Sequence, residues 1–282
     1  MNETGTAPPA ATPPAATSPA RQDRPVGARR LEWAAIWGVM SREVANFRTF
    51  WKGTTFSSVL EPIVYLLAFG LGLGSTIVGN VEGIPYEQFV GTGMVATAVI
   101  FSSALPSMFG TFVKHHFQRT YDAILATPVD VEELVTAEML WIGIRSGFYG
   151  SFPLLVTIGF GLDPSWGMLL VPLFAFVTAL GFAGFGIMVA AWAEKIDQFN
   201  YVTTLAVTPL FLVAGTFFPI GQLPEGFQIV AQLNPLHQLV ELVRAASFGF
   251  EPTDLARLGF LCGFTLITWR LAINRMQKRL ID

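Results

Sequence analysis

Six long apolar segments constrain the fold of this chain more than any other feature of its sequence. Each is close to the ~20 residues that an α-helix needs to cross ~30 Å of hydrocarbon. Apolar blocks of about 18 residues or more are typical of bilayer-spanning helices, because soluble helices keep a polar face. The predicted spans are residues 54–76, 89–113, 138–160, 166–192, 200–218 and 255–273.

The composition supports the same class of protein. Only 13% of the residues are charged, against about 25% in a typical soluble domain, so the chain has too little polar surface to cover a globule in water. Its single cysteine excludes a disulfide framework and a thiolate metal cluster. We therefore predict an all-α membrane protein with a transmembrane domain of six helices over residues 54–282.

Two segments precede the first span. Residues 1–28 are rich in Ala and Pro and lack hydrophobic periodicity, which predicts a disordered cytoplasmic tail without the layout of a signal peptide. Residues 29–53 repeat apolar residues at helical spacing, and a Trp-rich face suits the boundary between lipid headgroups and acyl chains. We predict an interfacial amphipathic helix with an apolar face of Trp33, Ile36, Trp37, Met40, Val44, Phe47 and Trp51.

The distribution of Lys and Arg predicts the orientation of the chain. The connections 77–88 and 161–165 contain neither residue, whereas the segments on the other side contain most of the 17 Lys and Arg residues. Positively charged residues accumulate in cytoplasmic loops. With Arg244 and Arg257 as exceptions, the pattern predicts a multi-pass protein of the bacterial inner membrane with both termini in the cytoplasm.

The cytoplasmic connection between the second and third spans has its own structure. Residues 119–126 can form one or two helical turns, which Pro128 ends. Asp130 and Glu133 then resemble a capping box that starts the next helix. A short cytoplasmic helix with exposed apolar side chains has no obvious partner within a bundle of membrane helices, so we expect it to dock to a separate protein. Its docking residues would be Tyr121, Ile124 and Leu125.

The segment 216–249, between the fifth and sixth spans, is interrupted by Pro219, Pro224 and Pro235. The prolines divide it into two apolar helices, each too short to cross the bilayer. Irregular backbone at membrane depth occurs only where protein or water covers it. We predict a re-entrant helical hairpin on the outer face.

Two charges fall well inside predicted spans, away from the span ends. Glu61 and Arg145 each lie about seven residues from the cytoplasmic end of a span, or roughly 10 Å deep, and buried membrane charges usually have partners. We predict a Glu61–Arg145 pair. Three alternatives stay open: a purely structural pair, a pair that faces the substrate path, and separate partners or snorkelling for each side chain.

Three runs of residues carry a resemblance to a known family. They are EPIVYL at 61–66 followed by GLGLG at 70–74, QRTYDAILATP at 118–128, and the stretch from Thr208 through AGTFFP at 214–219 to NPL at 234–236 and ELVR at 241–244. In this order and spacing they resemble the membrane subunit of ABC-2 type exporters, most closely the NodJ-type permeases associated with lipo-oligosaccharide export. The likeness covers residues 29–279, and the Pro-rich tail departs from it.

The resemblance implies a half-transporter. Two membrane subunits, either two copies of this chain or one copy with a paralogous permease, would pair with two P-loop ABC ATPase subunits. It also implies that the outer hairpin caps the exit side and that spans one and five form the subunit interface. The short cytoplasmic helix would couple ATP hydrolysis to rearrangement through Arg119, Tyr121, Asp122, Ile124 and Leu125.

No catalytic machinery is visible in the sequence. The chain contains no G-x-x-x-x-G-K-[ST] loop, so nothing in it can hold nucleotide phosphates in that way, and ATP and Mg²⁺ are expected on the partner ATPase. We expect no enzymatic activity, no cofactor or metal bound by this chain, and no nucleic-acid partner. His115 and His116 are adjacent and therefore lie on different faces of a helix.

An apolar bundle with an outer cap suits an amphipathic substrate, such as a lipo-oligosaccharide, a glycolipid or a hydrophobic drug. Aromatic faces accommodate both sugar rings and acyl chains, although the same residues could simply pack helices or contact lipid. Two other classes stay open, namely an ATP-independent channel or carrier and a membrane-embedded enzyme. The candidate path residues are Phe56, Tyr65, Phe69, Phe211, Phe217 and Phe218.

Overall fold

The computed structural model describes the backbone of residues 31–73 and 80–280. It describes the side chains of the same residues except 57–59, 61–62, 70–71 and 73. The predicted tail, residues 1–28, lies outside the described residues. The described chain is helical, and its only extended pairing is an isolated bridge between Val81 and Ile84, so the all-α class is confirmed. The helices are α1 (Trp33–Leu66), α2 (Tyr86–Phe112), α3 (Thr120–Leu125), α4 (Val131–Gly150), α5 (Phe152–Gly159), α6 (Val171–Trp192), α7 (Gln198–Val202), α8 (Thr208–Leu212), α9 (Glu225–Gln232), α10 (Pro235–Phe248) and α11 (Pro252–Leu280).

Within the described residues, three helical segments are long and apolar enough to cross a membrane. They are Tyr86–Phe117, Trp166–Trp192 and Pro252–Leu280, which match the second, fourth and sixth predicted spans. The third predicted span is divided between α4 and α5, because Pro153 lacks the N–H that would continue the helix. Several apolar helices are thus confirmed, whereas the count of six spans stays a prediction.

The first helix is longer than either of the two segments predicted for it. α1 continues from Trp33 to Leu66 without a break, and the division at residues 53–54 into an interfacial part and a first span stays a prediction. Gly53 lies at this boundary, and a glycine within a helix costs only about 1 kcal/mol relative to alanine. Packing along a neighbouring helix can offset such a cost, and α1 has such a neighbour in α4.

Contacts at successive levels show that α1 runs alongside α4 in the same direction. The Glu32 N–H donates to Glu133 Oε1 at 2.8 Å. Further along, the ring centroids of Phe47 and Trp141 lie 5.5 Å apart, and the hydroxyls of Thr55 and Tyr149 lie 2.6 Å apart.

The predicted Trp-rich face of α1 divides into two parts. Ile36 and Val39 are buried against the bundle, whereas Trp33 is 75% and Trp37 is 69% exposed. The side chain that joins Ile36 and Val39 on the packed side is Glu43, a charged residue that is also buried. Contact of the exposed tryptophans with lipid headgroups stays a prediction.

The bundle core forms where small residues let helices approach. A Cβ added to Gly147 of α4 would lie 2.9 Å from Phe176 Cα of α6, and one added to Gly184 of α6 would lie 2.9 Å from the Met139 side chain. Gly147 and Gly184 thus let α4 and α6 pack closely. α2, α6 and α10 enclose the largest apolar cluster, which includes Val95, Ile100, Ala179, Leu239 and Val243.

The predicted hairpin contains two separate helices. α9 has 8 residues and α10 has 14, and the Asn234–Pro235 step divides them. Asn234 caps α10 by accepting a hydrogen bond from the Leu236 N–H at 3.0 Å. The division into two short helices is confirmed, while insertion of the hairpin into the membrane stays a prediction.

Candidate functional site

The short helix between α2 and α4 forms as predicted. Arg119 adopts a left-handed conformation with φ 50° and turns the chain into α3. A capping box between Asp130 and Glu133 starts α4. In it, the Asp130 N–H donates to Glu133 Oε2 at 3.0 Å. These local signals place α3 at the end of the bundle where α2 finishes, which we call the α3 end.

The orientation of Tyr121 corrects the sequence analysis. The predicted exposed docking residue is 1% exposed, and its hydroxyl donates a hydrogen bond to the carboxylate of Glu138. Burial and the nearby Glu138 carboxylate raise the pKa of Tyr121 well above its ordinary value, so the phenol stays a donor. Ile124 and Leu125 are half-buried against an apolar cluster that contains Ile36. α3 lies with its apolar side inward because the bundle provides this cluster.

Tyr121 belongs to a set of polar side chains, all buried except the partly exposed Lys114, that we call the α3 polar network: Glu43, Thr111, Lys114, Tyr121 and Glu138. The Lys114 ammonium lies 2.8 Å from Glu138 Oε1 and 3.0 Å from Glu43 Oε1. The Thr111 hydroxyl donates to Glu138 Oε2 at 3.3 Å. Because these residues come from α1, α2, α3, α4 and the turn that follows α2, the network joins the short helix to three long ones.

Sequence reasoning missed the charged members of this network. Glu138 is 2% exposed, although the sequence analysis treated it only as the start of a span. Glu43 offered a usable signal, because it lies seven residues after Ile36 and four before Phe47, on the side of α1 that packs against the bundle. A carboxylate on an apolar helix face needs a buried partner. The identity of that partner, Lys114, was not readable from the sequence.

The outer side of α3 offers a different set of residues to solvent. Phe117 is 67% exposed, and the sequence analysis did not single it out. Arg119 and Asp122 are exposed and form a 3.4 Å ion pair. A cavity of about 540 Å³ lies between α1 and α3. Its lining includes Ala34, Gly38, Arg42, Ala123 and Ile124.

The intramembrane pair predicted for Arg145 is not tested by the structure. The side chain of Glu61 lies outside the described residues. Arg145 donates to the backbone carbonyl of Ser102 at 3.3 Å, and the neighbouring Ser146 hydroxyl donates to the same carbonyl at 2.8 Å. Arg145 therefore ties α4 to α2, and the Glu61–Arg145 pair stays a prediction.

Four of the six predicted path aromatics form one continuous chain of ring contacts. Ring centroids lie 6.2 Å apart for Tyr65 and Phe69, 4.9 Å for Phe69 and Phe217, and 5.5 Å for Phe217 and Phe211. Phe101 of α2 extends this aromatic chain, 5.6 Å from Phe211; no sequence signal distinguished it from other span phenylalanines. The two remaining candidates, Phe56 and Phe218, are exposed.

The aromatic chain passes through a segment where the helix has ended. α8 finishes at Leu212, and residues 213–219, which we call the unwound segment, precede the short turn that leads to α9. Gly215 has φ +82°, a left-handed conformation that suits glycine. The last carbonyls of a helix lack intrahelical donors, so this segment and the end of α8 need donors from elsewhere.

Those donors come from one face of α10. The Asn234 amide donates to the Leu210 carbonyl at 2.7 Å, His237 Nδ1 donates to the Ala214 carbonyl at 3.2 Å, and Arg244 Nη2 donates to the Gly215 carbonyl at 2.8 Å. Glu241 pairs with Arg244 at 3.2 Å. We call these four residues the α10 polar stripe, since the spacing i, i+3, i+7, i+10 places them on one helix face.

The α10 polar stripe lies at the end of the bundle opposite α3, which we call the hairpin end. The first residues of α2 are here, and the Tyr86 hydroxyl donates to the Phe217 carbonyl at 3.4 Å. The Arg244 guanidinium lies 3.8 Å from the centroid of the Phe89 ring. The spacing of His237 from Asn234, Glu241 and Arg244 was the sequence signal that could have identified the stripe.

Comparison with known proteins agrees with this architecture. Residues 34–248 match the ABC-2 type transporter family. Nodulation protein J of Sinorhizobium fredii is 32% identical over 257 residues, which cover 89% of this chain and 94% of the relative. The inner membrane transport permease YadH of Escherichia coli K12 is 26% identical over 246 residues, which cover 86% and 95%. The chain therefore belongs to the ABC-2 type transporter family, as an integral membrane permease component related to Nodulation protein J.

Proposed function

We propose that this chain is the transmembrane subunit of an ATP-driven exporter that moves an amphipathic substrate outward across the inner membrane. A separate P-loop ABC ATPase would hydrolyse ATP with Mg²⁺ and dock at the α3 end. The observation that carries the proposal is the α3 polar network, because it connects a short surface helix to three long helices through buried charges. The termini would lie in the cytoplasm, as the Lys and Arg distribution predicts.

The docking surface follows from the exposure of α3. Phe117, Arg119 and Asp122 are exposed, and the cavity between α1 and α3 lies beside them. Tyr121 instead faces the inside of the bundle, where its hydrogen bond to Glu138 holds α3 against α4. The coupling residues expected from the family resemblance thus divide into an outer pair, Arg119 and Asp122, and inner residues that connect to the bundle.

Transmission through this network has a physical basis. Separating one partner of a buried ion pair costs about 3–5 kcal/mol, because an unpaired charge is left away from water. A displacement of α3 would therefore carry α4 with it through Tyr121 and Glu138, and carry α2 and α1 through Lys114. Coupling by rigid displacement is less costly than breaking the network in each cycle.

The aromatic chain supports a path for an amphipathic substrate. Flat aromatic faces interact with both sugar rings and acyl chains, as a lipo-oligosaccharide, glycolipid or hydrophobic drug would require. Phe56 and Phe218 add further exposed aromatic surface.

A second membrane subunit, either another copy or a paralogous permease, would cover the surface that α1 and the helices before the unwound segment present. Val64 and Leu67 are exposed at the end of α1, and Leu205 and Leu212 are exposed in the stretch before the unwound segment. An exposed apolar surface of this kind can contact either a second subunit or lipid, and the family resemblance favours contact with a second subunit.

The proposal is tested by purifying tagged protein from its native membrane in mild detergent and identifying what co-elutes by mass spectrometry. We expect a stoichiometric P-loop ATPase, lost when Phe117→Glu and Asp122→Lys are combined. Lys195→Glu is the matched control, because Lys195 is exposed in the connection after α6. Recovery of the chain without any ATPase, even after cross-linking, would instead support an ATP-independent channel or carrier.

The proposed pair of intramembrane charges has a separate test. Single reversals, Glu61→Arg and Arg145→Glu, should each reduce the amount of protein in the membrane, since each leaves two like charges within the bilayer. The double reversal should restore it. If the double variant is no better than the single ones, Glu61 and Arg145 have separate partners.

A further inference from the structure

We propose that the α10 polar stripe is a latch that positions the unwound segment, with Arg244 as its central residue, and that the segment leaves α10 when the outward end of the path opens. The positioning role stands on the contacts of this chain alone. The link to path opening rests on the proposed function.

Side chains of α10 hold the unwound segment and the end of α8 through hydrogen bonds. Three side chains of one face of α10 donate to the carbonyls of Leu210, Ala214 and Gly215, which the end of α8 leaves without helical donors. α2 adds two longer contacts, from the Tyr86 hydroxyl to the Phe217 carbonyl and from the Thr216 hydroxyl to the Gly93 carbonyl, each at 3.4 Å. The shorter bonds from α10 are therefore the main hold on the segment, and moving α10 would release it. A segment with intact helical hydrogen bonds could not be released in this way.

The unwound segment in turn packs on α2 and contributes a ring to the aromatic chain. Thr216 is 1% exposed and packs on Gly93 of α2, where an added Cβ would lie 2.7 Å from Thr216 Cα. Phe217 follows and sits in the aromatic chain between Phe69 and Phe211. Release of the segment would therefore uncover Thr216 and remove Phe217 from the aromatic chain in one movement.

Arg244 is the central residue of the latch because it contacts both the unwound segment and residues outside it. Besides the Gly215 carbonyl, Arg244 pairs with Glu241 at 3.2 Å and covers the ring of Phe89. These two contacts do not involve the unwound segment, so the guanidinium stays paired when the bond to Gly215 breaks. This arrangement allows two stable positions of the segment without an unpaired buried charge.

Arg257 provides a matched comparison. It carries the same charge, pairs with the same Glu241 at 3.2 Å, and also pairs with Asp254 at 2.6 Å. Glu241 and Asp254 belong to α10 and α11. Loss of Arg257 thus perturbs the charge cluster, whereas loss of Arg244 perturbs the cluster and removes a donor to Gly215.

The experiment places a reporter under the segment. Thr216→Cys is introduced in a Cys262→Ser background, since Cys262 is the chain's single cysteine, and the rate of maleimide labelling is measured in isolated membranes. Labelling requires the segment to lift from Gly93, so its rate follows the opening equilibrium. Arg244→Gln should raise the rate about tenfold, the effect of losing one hydrogen bond to a charged group, and Arg257→Gln less than about twofold.

One further variant and two comparisons keep the result decisive. If Arg244→Gln does not reach the membrane, His237→Leu, which removes the donor to Ala214, should still raise the labelling rate about threefold. Equal rates for the Arg244→Gln and Arg257→Gln proteins would overturn the latch. Fast labelling of Thr216→Cys in the otherwise unchanged chain would overturn it as well.

The role in opening is tested on the complex with the co-purified ATPase. Addition of ATP and Mg²⁺ should accelerate labelling of Thr216→Cys, and an unchanged rate would overturn the opening role while the positioning role is judged by Arg244→Gln. If no ATPase co-purifies, the proposed function fails. The labelling of the chain alone still decides whether the stripe positions the segment.

Discussion

At the α3 end, Lys114 is paired with two carboxylates that belong to two other helices, whereas at the hairpin end Arg244 donates to a backbone carbonyl that no helix uses. The first arrangement joins complete helices through buried charges that are costly to separate. The second holds a short length of unwound backbone with single hydrogen bonds, each of modest strength. Buried charge pairs therefore tie whole helices together at one end of the bundle, whereas weaker single bonds hold a short unwound segment at the other.

The largest effect should come from breaking the charge pairing at the α3 end. Lys114→Met leaves Glu43 and Glu138 buried without their ammonium, so we expect a loss of about 3–5 kcal/mol in the free energy of unfolding, seen as a strongly lowered thermal midpoint in detergent. The triple variant Glu43→Gln, Lys114→Met, Glu138→Gln should recover most of this loss. A cost below about 1 kcal/mol for Lys114→Met would contradict the buried network.

A smaller effect is expected from Tyr121→Phe, which removes the hydroxyl that binds α3 to Glu138 but keeps the ring in the apolar cluster. The expected loss is about 1.5–3 kcal/mol, the range for a hydrogen bond to a charged group. We expect Tyr121→Phe to weaken the coupling between ATP hydrolysis and transport more than it lowers stability. The purified complex should then hydrolyse ATP at a rate that depends less on transport. Leu125→Ala is the comparison, because it perturbs packing without touching the network.

At the hairpin end, Gly215→Ala should have a local effect. Alanine in the left-handed region costs about 1–2 kcal/mol, and the new Cβ would lie 3.2 Å from Ile220 Cδ1. Since the strain is confined to the unwound segment, labelling of Thr216→Cys should speed up while the thermal midpoint changes little. A large drop in the midpoint would show that this end is as rigidly coupled as the α3 end.

The smallest effect concerns alkaline pH. The pKa of Tyr121 is raised in the folded protein above its ordinary value of 10.0, so the unfolded chain releases this proton first as the pH rises. Stability from Tyr121 is therefore complete below about pH 10 and falls above it, by about 1.4 kcal/mol per pH unit, until the folded pKa is reached. The difference in thermal midpoint between the unchanged protein and Tyr121→Phe should shrink above pH 10, and a constant difference would oppose this assignment.

Local signals explain which parts of this fold the sequence predicted. The apolar blocks gave the long helices, Asp130 with Glu133 gave the start of α4, and Asn234 with Pro235 gave the start of α10. Each of these signals acts within a few residues of the chain, so periodicity and capping chemistry suffice to identify it. The course of α1 alongside α4 could not be predicted, because contacts such as that of Phe47 with Trp141 join residues far apart in the chain.

The candidate sites divide in the same way. Four predicted path aromatics do meet, since residues close in the chain or at the ends of neighbouring spans were already constrained by topology. The inward orientation of Tyr121 could not be predicted, because the rotation of a two-turn helix depends on what lies beneath it. The polar stripe of α10 was present in the sequence as a spacing, but the carbonyls that it binds exist only where α8 unwinds.

The sequence by itself determined that this chain is an all-α membrane protein with a short helix between α2 and α4, a divided hairpin, and a likeness to ABC-2 permeases. Hydrophobic length, proline positions and capping residues settle such features locally. The tertiary structure alone decided that Glu43, Lys114 and Glu138 share one buried network and that Arg244 binds Gly215. These contacts join residues distant in the chain, and only the register between packed helices determines which of them meet.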